Sequence, residues 1–167
     1  LYWKLDFEQE KHATIFMAVA AALSANSTVI YENHGGTERG YLVVPGIQEP
    51  ITIPKKDAQD RTISIPDCAI LLGDTLIIAE GKTYKNRNQG IAQLKGLDPF
   101  IDFIKPFFPS VKEYQTGLVL GGSGKEANVL QIPELLFYLQ PSGRVVFGQL
   151  GAKCGLPEMF SFGGENI

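Results

Sequence analysis

The chain has 167 residues, of which 44% are hydrophobic and 20% charged, and its formal net charge is −3. This composition excludes disordered, collagenous and fibrous proteins. The acidic balance excludes a basic field over the whole surface, so contact with a polyanion must depend on a local patch. The length predicts a single domain over residues 1–167. Because the chain begins at Leu1, we expect either a domain excised from a longer protein or a chain that lacks its start.

Cysteine usage and hydropathy predict a cytoplasmic protein without a membrane segment. Cys68 and Cys154 have neither CxxC nor Cys/His spacing, which argues against a disulfide framework and against a zinc site. The longest apolar run, residues 13–23, is shorter than the roughly 20 residues that span a bilayer. Acidic residues precede this run, where a signal peptide would carry positive charge.

The first half of the chain predicts one helix, an edge strand and a hairpin. Residues 5–23 lack Gly and Pro and repeat apolar positions at helical spacing, which predicts a helix. Residues 29–31 are a short β-branched run followed by several prolines, a pattern typical of an edge strand and loops. Residues 62–72 and 75–80 are rich in strand-forming residues and flank the Gly-Asp pair at 73–74, which suits a hairpin turn.

The second half of the chain alternates helices and strands. A polar basic loop over residues 85–88 precedes a helix predicted over residues 89–97. A strand over residues 116–120, a helix over residues 126–139 and a late strand over residues 144–150 follow. This order of elements predicts an α/β fold, with a mixed central β-sheet flanked by helices.

The predicted hairpin places two acidic side chains opposite each other. A two-residue turn at 73–74 pairs Asp67 with Glu80, and the Cβ atoms of such a pair lie about 4.5–5.5 Å apart on one face. Lys82 projects from the same face, because strand side chains alternate. A three-residue loop would remove this alignment, and the two acids would then be edge polar groups paired with Lys82 in a salt bridge.

The acid pair is a candidate metal site. Two apposed carboxylates among apolar strand residues repel each other and lose hydration unless they are protonated, paired or metal-bound. Oxygen-only ligands favour Mg²⁺, with Mn²⁺ as a substitute, over zinc or copper. Asp67 and Glu80 therefore predict metal-assisted attack of water on a phosphodiester. Lys82 would orient the attacking water and help to neutralise the developing charge.

The motif residues resemble those of a known nuclease family. Pro66-Asp67 followed by Glu80-Gly81-Lys82 is similar to the motif of the PD-(D/E)XK nucleases, the restriction-endonuclease-like superfamily. The resemblance extends over about residues 5–97. It implies that Asp67 and Glu80 bind metal, that the carbonyl of Gly81 adds a ligand, and that Lys82 serves the attacking water.

The resemblance also implies supporting residues on two helices. Many family members carry an acidic residue on the first helix that completes the metal shell, for which Glu8 is the first choice here and Glu10 the second. Family members often follow the motif with a glutamine-bearing helix, and Gln89 and Gln93 match that feature at i,i+4 spacing. Gln93 stands where the QxxxY branch of the family has a tyrosine, and we expect it to support catalysis.

The polar loop after the motif is the candidate nucleic-acid contact. Lys85, Arg87, Asn88 and Gln89 follow the predicted active strand closely enough to contact backbone phosphates. The alternative is an ordinary solvated loop, because short charged runs usually face water. Nothing in these residues specifies a base sequence.

Residues and resemblance together predict a Mg²⁺-dependent deoxyribonuclease, and the family setting favours a restriction-type endonuclease cleavage domain. Such a domain acts on DNA as a homodimer or with a separate recognition domain or subunit. A repair or junction-resolving nuclease is a close alternative. Two readings from other classes remain open: a non-catalytic nucleic-acid-binding or protein-interaction module with the same fold, closed by an ion pair to Lys82, and a Mg²⁺-dependent small-molecule enzyme with a closed pocket.

Overall fold

The computed structural model describes residues 27–32, 41–42, 44, 46–121, 131–140 and 145–154. The helix predicted over residues 5–23, with Glu8 and Glu10, lies outside the described residues. Two 3-10 turns, Tyr84–Asn86 and Lys105–Phe107, occur in the described part, and none of the helices described there has the length and apolar character to cross a membrane. The strands and helices in chain order are β1 (Ser27–Glu32), β2 (Tyr41–Leu42), β3 (Ile51–Thr52), β4 (Cys68–Leu72), β5 (Thr75–Thr83), α1 (Arg87–Lys95), α2 (Asp98–Ile104), β6 (Glu113–Gly121), β7 (Leu135–Leu139), β8 (Val145–Phe147) and α3 (Gln149–Lys153).

Six strands form one mixed sheet in the order β1-β4-β5-β6-β7-β8, and β2 pairs with β3 separately. The pairs β1–β4 and β4–β5 are antiparallel, the pairs β5–β6 and β6–β7 are parallel, and the pair β7–β8 is antiparallel. The connection from β5 to β6 contains α1 and α2, as a parallel crossover requires. The predicted α/β class and mixed sheet flanked by helices are confirmed, and the strand predicted at residues 29–31 is β1, at the sheet edge.

The hairpin of β4 and β5 has the register that the sequence predicts. Its ladder starts at the turn and extends to the pair of Cys68 and Ala79. Gly73 has a positive φ of 63°, which the first central position of a type II′ turn requires. The strand predicted over residues 62–72 is too long, since β4 begins only at Cys68. Pro66 has no N–H to donate to the ladder, so the chain cannot continue the pairing through it.

Helices α1 and α2 lie against the sheet face that carries alternate residues of β5. Leu76 and Ile78 are fully buried on this face, and Glu80 and Lys82 continue it by alternation. On the opposite face Ile77 is fully buried too, as is usual where parallel strands are covered on both sides. The core between helices and sheet includes Leu76, Ile78, Leu94, Leu97, Phe100, Ile104, Leu118 and Leu120.

In the second half, one prediction is wrong and another is confirmed only in part. The helix predicted over residues 126–139 ends in a strand, because its last five residues form β7. These residues are a continuous apolar run, and a buried parallel strand and a buried helix look alike in such a run. The strand predicted over residues 144–150 is confirmed only for β8, and Gly148 then precedes α3, which begins at Gln149.

Candidate active site

Asp67 lies one residue before β4, at the point where the hairpin ladder ends. Cys68 and Ala79 form the last pair of the ladder, and extending this register by one residue would set Asp67 opposite Glu80. The Asp67 Oδ2 atom accepts a 2.8 Å hydrogen bond from the N–H of Gly81. The hydrogen bond links the Asp67 carboxylate to the backbone of the predicted motif, just beyond the last backbone pair of the hairpin.

Glu80 and Lys82 are buried on the face of β5 that α1 covers. Their exposed fractions are only 6% and 8%, and acidic and lysine side chains are rarely so buried unless they are paired or bind a ligand. Gly81 separates them and is buried as well. The register of one hairpin therefore brings Asp67, Glu80 and Lys82 to the same end of the sheet.

The residues predicted to contact nucleic acid lie in the 3-10 turn after β5 and in the first turn of α1. The Arg87 guanidinium lies over the ring of Tyr84, 4.2 Å from its centroid, and Arg87 Nη1 donates a 2.9 Å hydrogen bond to the Tyr84 carbonyl. Lys85, Asn88 and Gln89 are exposed. These residues follow the carboxyl end of β5, and the parallel strands β6 and β7 end at the same edge, where open α/β sheets bind their ligands.

Two tyrosines next to this edge were not identified from the sequence. Tyr138 on β7 is fully buried, and its ring meets Tyr84 edge-on with the centroids 6.2 Å apart. Burial, with Tyr84 as a smaller contribution, raises the pKa of the Tyr138 hydroxyl above its ordinary value. Leu120 pairs with Lys82 on one side and with Tyr138 on the other, so the tyrosine shares a row with the motif lysine. No local pattern reveals this row, because it depends on the pairing of β6 with β7, and β7 was predicted as a helix.

The predicted glutamines lie on the outer part of α1. Gly90 and Leu94 are the buried residues of this helix, whereas Gln89 and Gln93 are exposed. The i,i+4 spacing of the two glutamines is therefore present on a helix that packs against the site. The catalytic role of Gln93 stays a prediction.

The protein ligands for a metal ion within the described residues are few. No group of three or more His, Cys, Asp or Glu side chains that could hold a metal occurs in that part of the chain. Asp67 and Glu80 supply two carboxylates, and the Gly81 carbonyl is a third oxygen of the same segment. Mg²⁺ commonly binds through one or two carboxylates and keeps several waters, so this donor set fits it. The proposed further ligand, Glu8, lies outside the described residues.

The arrangement can bind a hard divalent cation next to a buried lysine, at an edge of the sheet lined by basic and amide side chains. Comparison of this chain with protein-family models, with curated proteins and with solved structures finds no match.

Proposed function

We propose that this chain is a Mg²⁺-dependent deoxyribonuclease of the PD-(D/E)XK type, and that it serves as the cleavage domain of a restriction-type endonuclease. The observation that supports the proposal is the hairpin register up to Cys68 and Ala79, which, extended by one residue, would set Asp67 beside Glu80 with Lys82 two residues further on the same face. A two-residue turn was the condition for this alignment. The three-residue loop that would have favoured a purely structural salt bridge does not form.

The metal would be held by Asp67, Glu80 and the carbonyl of Gly81, with Mn²⁺ as a substitute for Mg²⁺. When bound, the ion supplies Lewis-acid stabilisation of phosphoryl oxygens and a more acidic water. Asp67 is oriented in advance, because the Gly81 N–H fixes one of its oxygens. Glu80 extends from a buried strand position, which restricts its motion and excludes bulk water from one side of the site.

Lys82 acts on the reacting groups from beside the carboxylates. Its ammonium donates hydrogen bonds to the attacking water or to a phosphoryl oxygen and neutralises charge that develops in the transition state. The buried position of the side chain strengthens this interaction, because charges interact more strongly where water is excluded. Gln93 supports the arrangement from α1.

DNA would approach the edge at which β5, β6 and β7 end. Lys85 and Arg87 contact backbone phosphates there, together with the amides Asn88 and Gln89. Such contacts position the duplex without reading its sequence. We therefore propose that recognition comes from a second copy of the chain or from a separate recognition domain or subunit, in a cytoplasmic setting.

The test is Mg²⁺-dependent cleavage of supercoiled plasmid and of single-stranded DNA. Wild type is compared with Asp67→Ala and Lys82→Ala, and circular dichroism monitors folding. Two variants are matched controls: Glu49→Ala removes an exposed acidic residue, as a match for Asp67→Ala, and Lys95→Ala removes an exposed lysine, as a match for Lys82→Ala. Both residues lie outside the hairpin. We expect cleavage by wild type and both controls, and none by the two site variants.

Two results would overturn the proposal. Cleavage that persists in folded Asp67→Ala places the activity elsewhere. A folded wild type that binds DNA but cuts neither substrate with Mg²⁺ or Mn²⁺ favours a non-catalytic binding module, in which the bond from Gly81 to Asp67 is simply structural.

A further inference from the structure

We propose that Gly90 is a positioning residue for Lys82, because the missing side chain at Gly90 lets α1 close over the lysine stem and sets the direction of its ammonium. The catalytic consequence of this inference rests on the proposed nuclease function. Its structural part, the confinement of the Lys82 stem by α1, does not depend on that function.

Helix α1 and the sheet approach each other closely beside Lys82. A Cβ atom built on Gly90 would lie 2.8 Å from Lys82 Cγ and 2.5 Å from Leu118 Cδ1. Optimal separations between non-bonded carbon atoms are about 3.5–4.0 Å. Leu118 is fully buried, and Lys82 Cγ is near the base of its side chain, so neither atom can move away freely. Any residue larger than glycine must displace the lysine stem, the leucine or the helix.

The backbone gives no other reason for a glycine at this position. Gly90 is inside a regular helix, and it is absent from the described glycines with positive φ, which are Gly46 and Gly73. Glycine is also the weakest helix former after proline, so its presence in the interior of α1 lowers the intrinsic stability of the helix. The packing against Lys82 and Leu118 accounts for it.

The confinement matters because lysine is a flexible side chain. Its ammonium sits on a four-carbon stem with several rotatable bonds, and a lysine free to rotate would reach the attacking water only part of the time. Gly90 restricts the stem near its base, where a small rotation moves the ammonium furthest. Catalytic geometry is sensitive to such changes, since a misplacement of about 1 Å can cost about 100-fold in rate.

The test compares Gly90→Ala with two other glycine substitutions. Gly96→Ala changes the C-cap residue of the same helix, where the new Cβ would meet the Gln93 carbonyl at an ordinary 3.5 Å. Gly117→Ala creates an overlap with the Leu136 side chain on the opposite face of the sheet, away from Lys82. It therefore controls for loss of stability alone.

Two measurements read out the position of Lys82. The first is the rate at which an amine-reactive reagent labels Lys82, measured by mass spectrometry on folded protein relative to the exposed Lys85. The second is kcat and KM for Mg²⁺-dependent DNA cleavage. In Gly90→Ala we expect labelling of Lys82 to rise several-fold and kcat to fall about 10- to 100-fold with little change in KM, whereas Gly96→Ala and Gly117→Ala leave the labelling at the wild-type rate.

An unchanged labelling rate in folded Gly90→Ala overturns the inference, as does the same rise in Gly117→Ala. If wild type cuts no DNA but labelling of Lys82 rises in Gly90→Ala, the positioning is confirmed and the nuclease function is refuted. The two failures can therefore be distinguished. If Gly90→Ala does not fold, Gly90→Ala is combined with Leu118→Ala, which removes the closer overlap. Labelling above that of Leu118→Ala alone supports the inference, and labelling equal to it refutes the inference.

Discussion

Arg61, in the loop before β4, binds both Asp57 of that loop and Asp102 of α2, whereas at the end of the β4–β5 hairpin Asp67 is bound to the N–H of Gly81, between Glu80 and Lys82. Arg61 Nε is 2.7 Å from Asp57 Oδ2, and Arg61 Nη2 is 3.0 Å from Asp102 Oδ2. All three groups of this arginine cluster reach solvent, with 40% of the Arg61 side chain exposed. The hairpin set is instead almost buried at Glu80 and Lys82.

The difference shows that the partner of a carboxylate determines whether its charge is neutralised or remains available to bind a ligand. Although partial desolvation opposes it, hydrogen bonds from Arg61 and Gln59 lower the pKa of Asp57. Hydrogen bonds to Asp102 and Asp57 in turn raise the pKa of Arg61. This cluster pairs both carboxylates with one guanidinium and braces a loop against α2. The hairpin holds Asp67 through a backbone N–H, which fixes a carboxylate without neutralising its charge.

The largest expected effect is on cleavage by Glu80→Gln. The amide keeps the shape of the side chain but removes the charge of the proposed metal ligand, so we expect kcat to fall by about 10²–10³-fold while the fold is retained. The measurement is Mg²⁺-dependent plasmid cleavage. Asp102→Asn, the corresponding change in the arginine cluster, should cut at the wild-type rate, and equal losses in both variants would abolish the distinction between the clusters.

Metal removal tests the same comparison without catalysis. A ligand that binds only the folded state stabilises it by about 2.7 kcal/mol at 100 times its Kd, so Mg²⁺ added to EDTA-treated protein should raise the Tm by several degrees. Differential scanning fluorimetry measures this shift. Asp67→Asn should lose it because one of the two carboxylate ligands is gone, and Asp57→Asn should keep it. A shift of equal size in Asp67→Asn would place the ion elsewhere.

Removing the arginine has a smaller effect. Exposed ion pairs contribute little to stability, so Arg61→Ala should lower the Tm slightly and leave cleavage unchanged. Thermal unfolding followed by circular dichroism measures the first effect and the plasmid assay the second. If Arg61→Ala changed the dependence of cleavage on Mg²⁺, the hairpin and the arginine cluster would not be independent.

The smallest effect is the pH dependence of the arginine cluster. The pKa of Asp57 in the folded protein is below its ordinary value of 3.8, so its ionised form stabilises the fold above that pH. This contribution is lost as the pH falls below 3.8 and through the lower folded-state pKa. The Tm difference between wild type and Asp57→Asn should therefore narrow between pH 7 and pH 2.5. A difference that is constant over this range would show that the charge of Asp57 does not contribute.

The hairpin could be predicted from the sequence because its signals are local. Gly73 permits the tight turn, and the turn alone determines which residues face each other, so the position of Asp67 beside Glu80 follows without tertiary information. The extent of β4 was overestimated because the residues before Pro66 are strand-forming by composition. The missing backbone N–H of Pro66 ends the pairing despite the strand preference of those residues.

Other parts depend on contacts between distant segments. The apolar run of β7 reads equally as helix or strand, and only its parallel pairing with β6 decides between them. The row from Lys82 through Leu120 to Tyr138 depends on that pairing and could not be predicted without it. The close approach at Gly90 is likewise a property of α1 on the sheet, which no local pattern reports.

The central strand β5 has one neighbour that is close in sequence and one that is distant. Cys68 pairs with Ala79 across a short hairpin, whereas Thr75 pairs with Glu113 only after α1 and α2 have been traversed. Contacts that close short loops cost less chain entropy and generally form faster. We therefore expect the folding chain to form the hairpin that carries Asp67 and Glu80 first, and to complete the surroundings of Lys82 only when β6 docks beside it. The hairpin carboxylates would then be able to bind a divalent ion before the surroundings of Lys82 are complete, and the bound ion would favour the later folding steps.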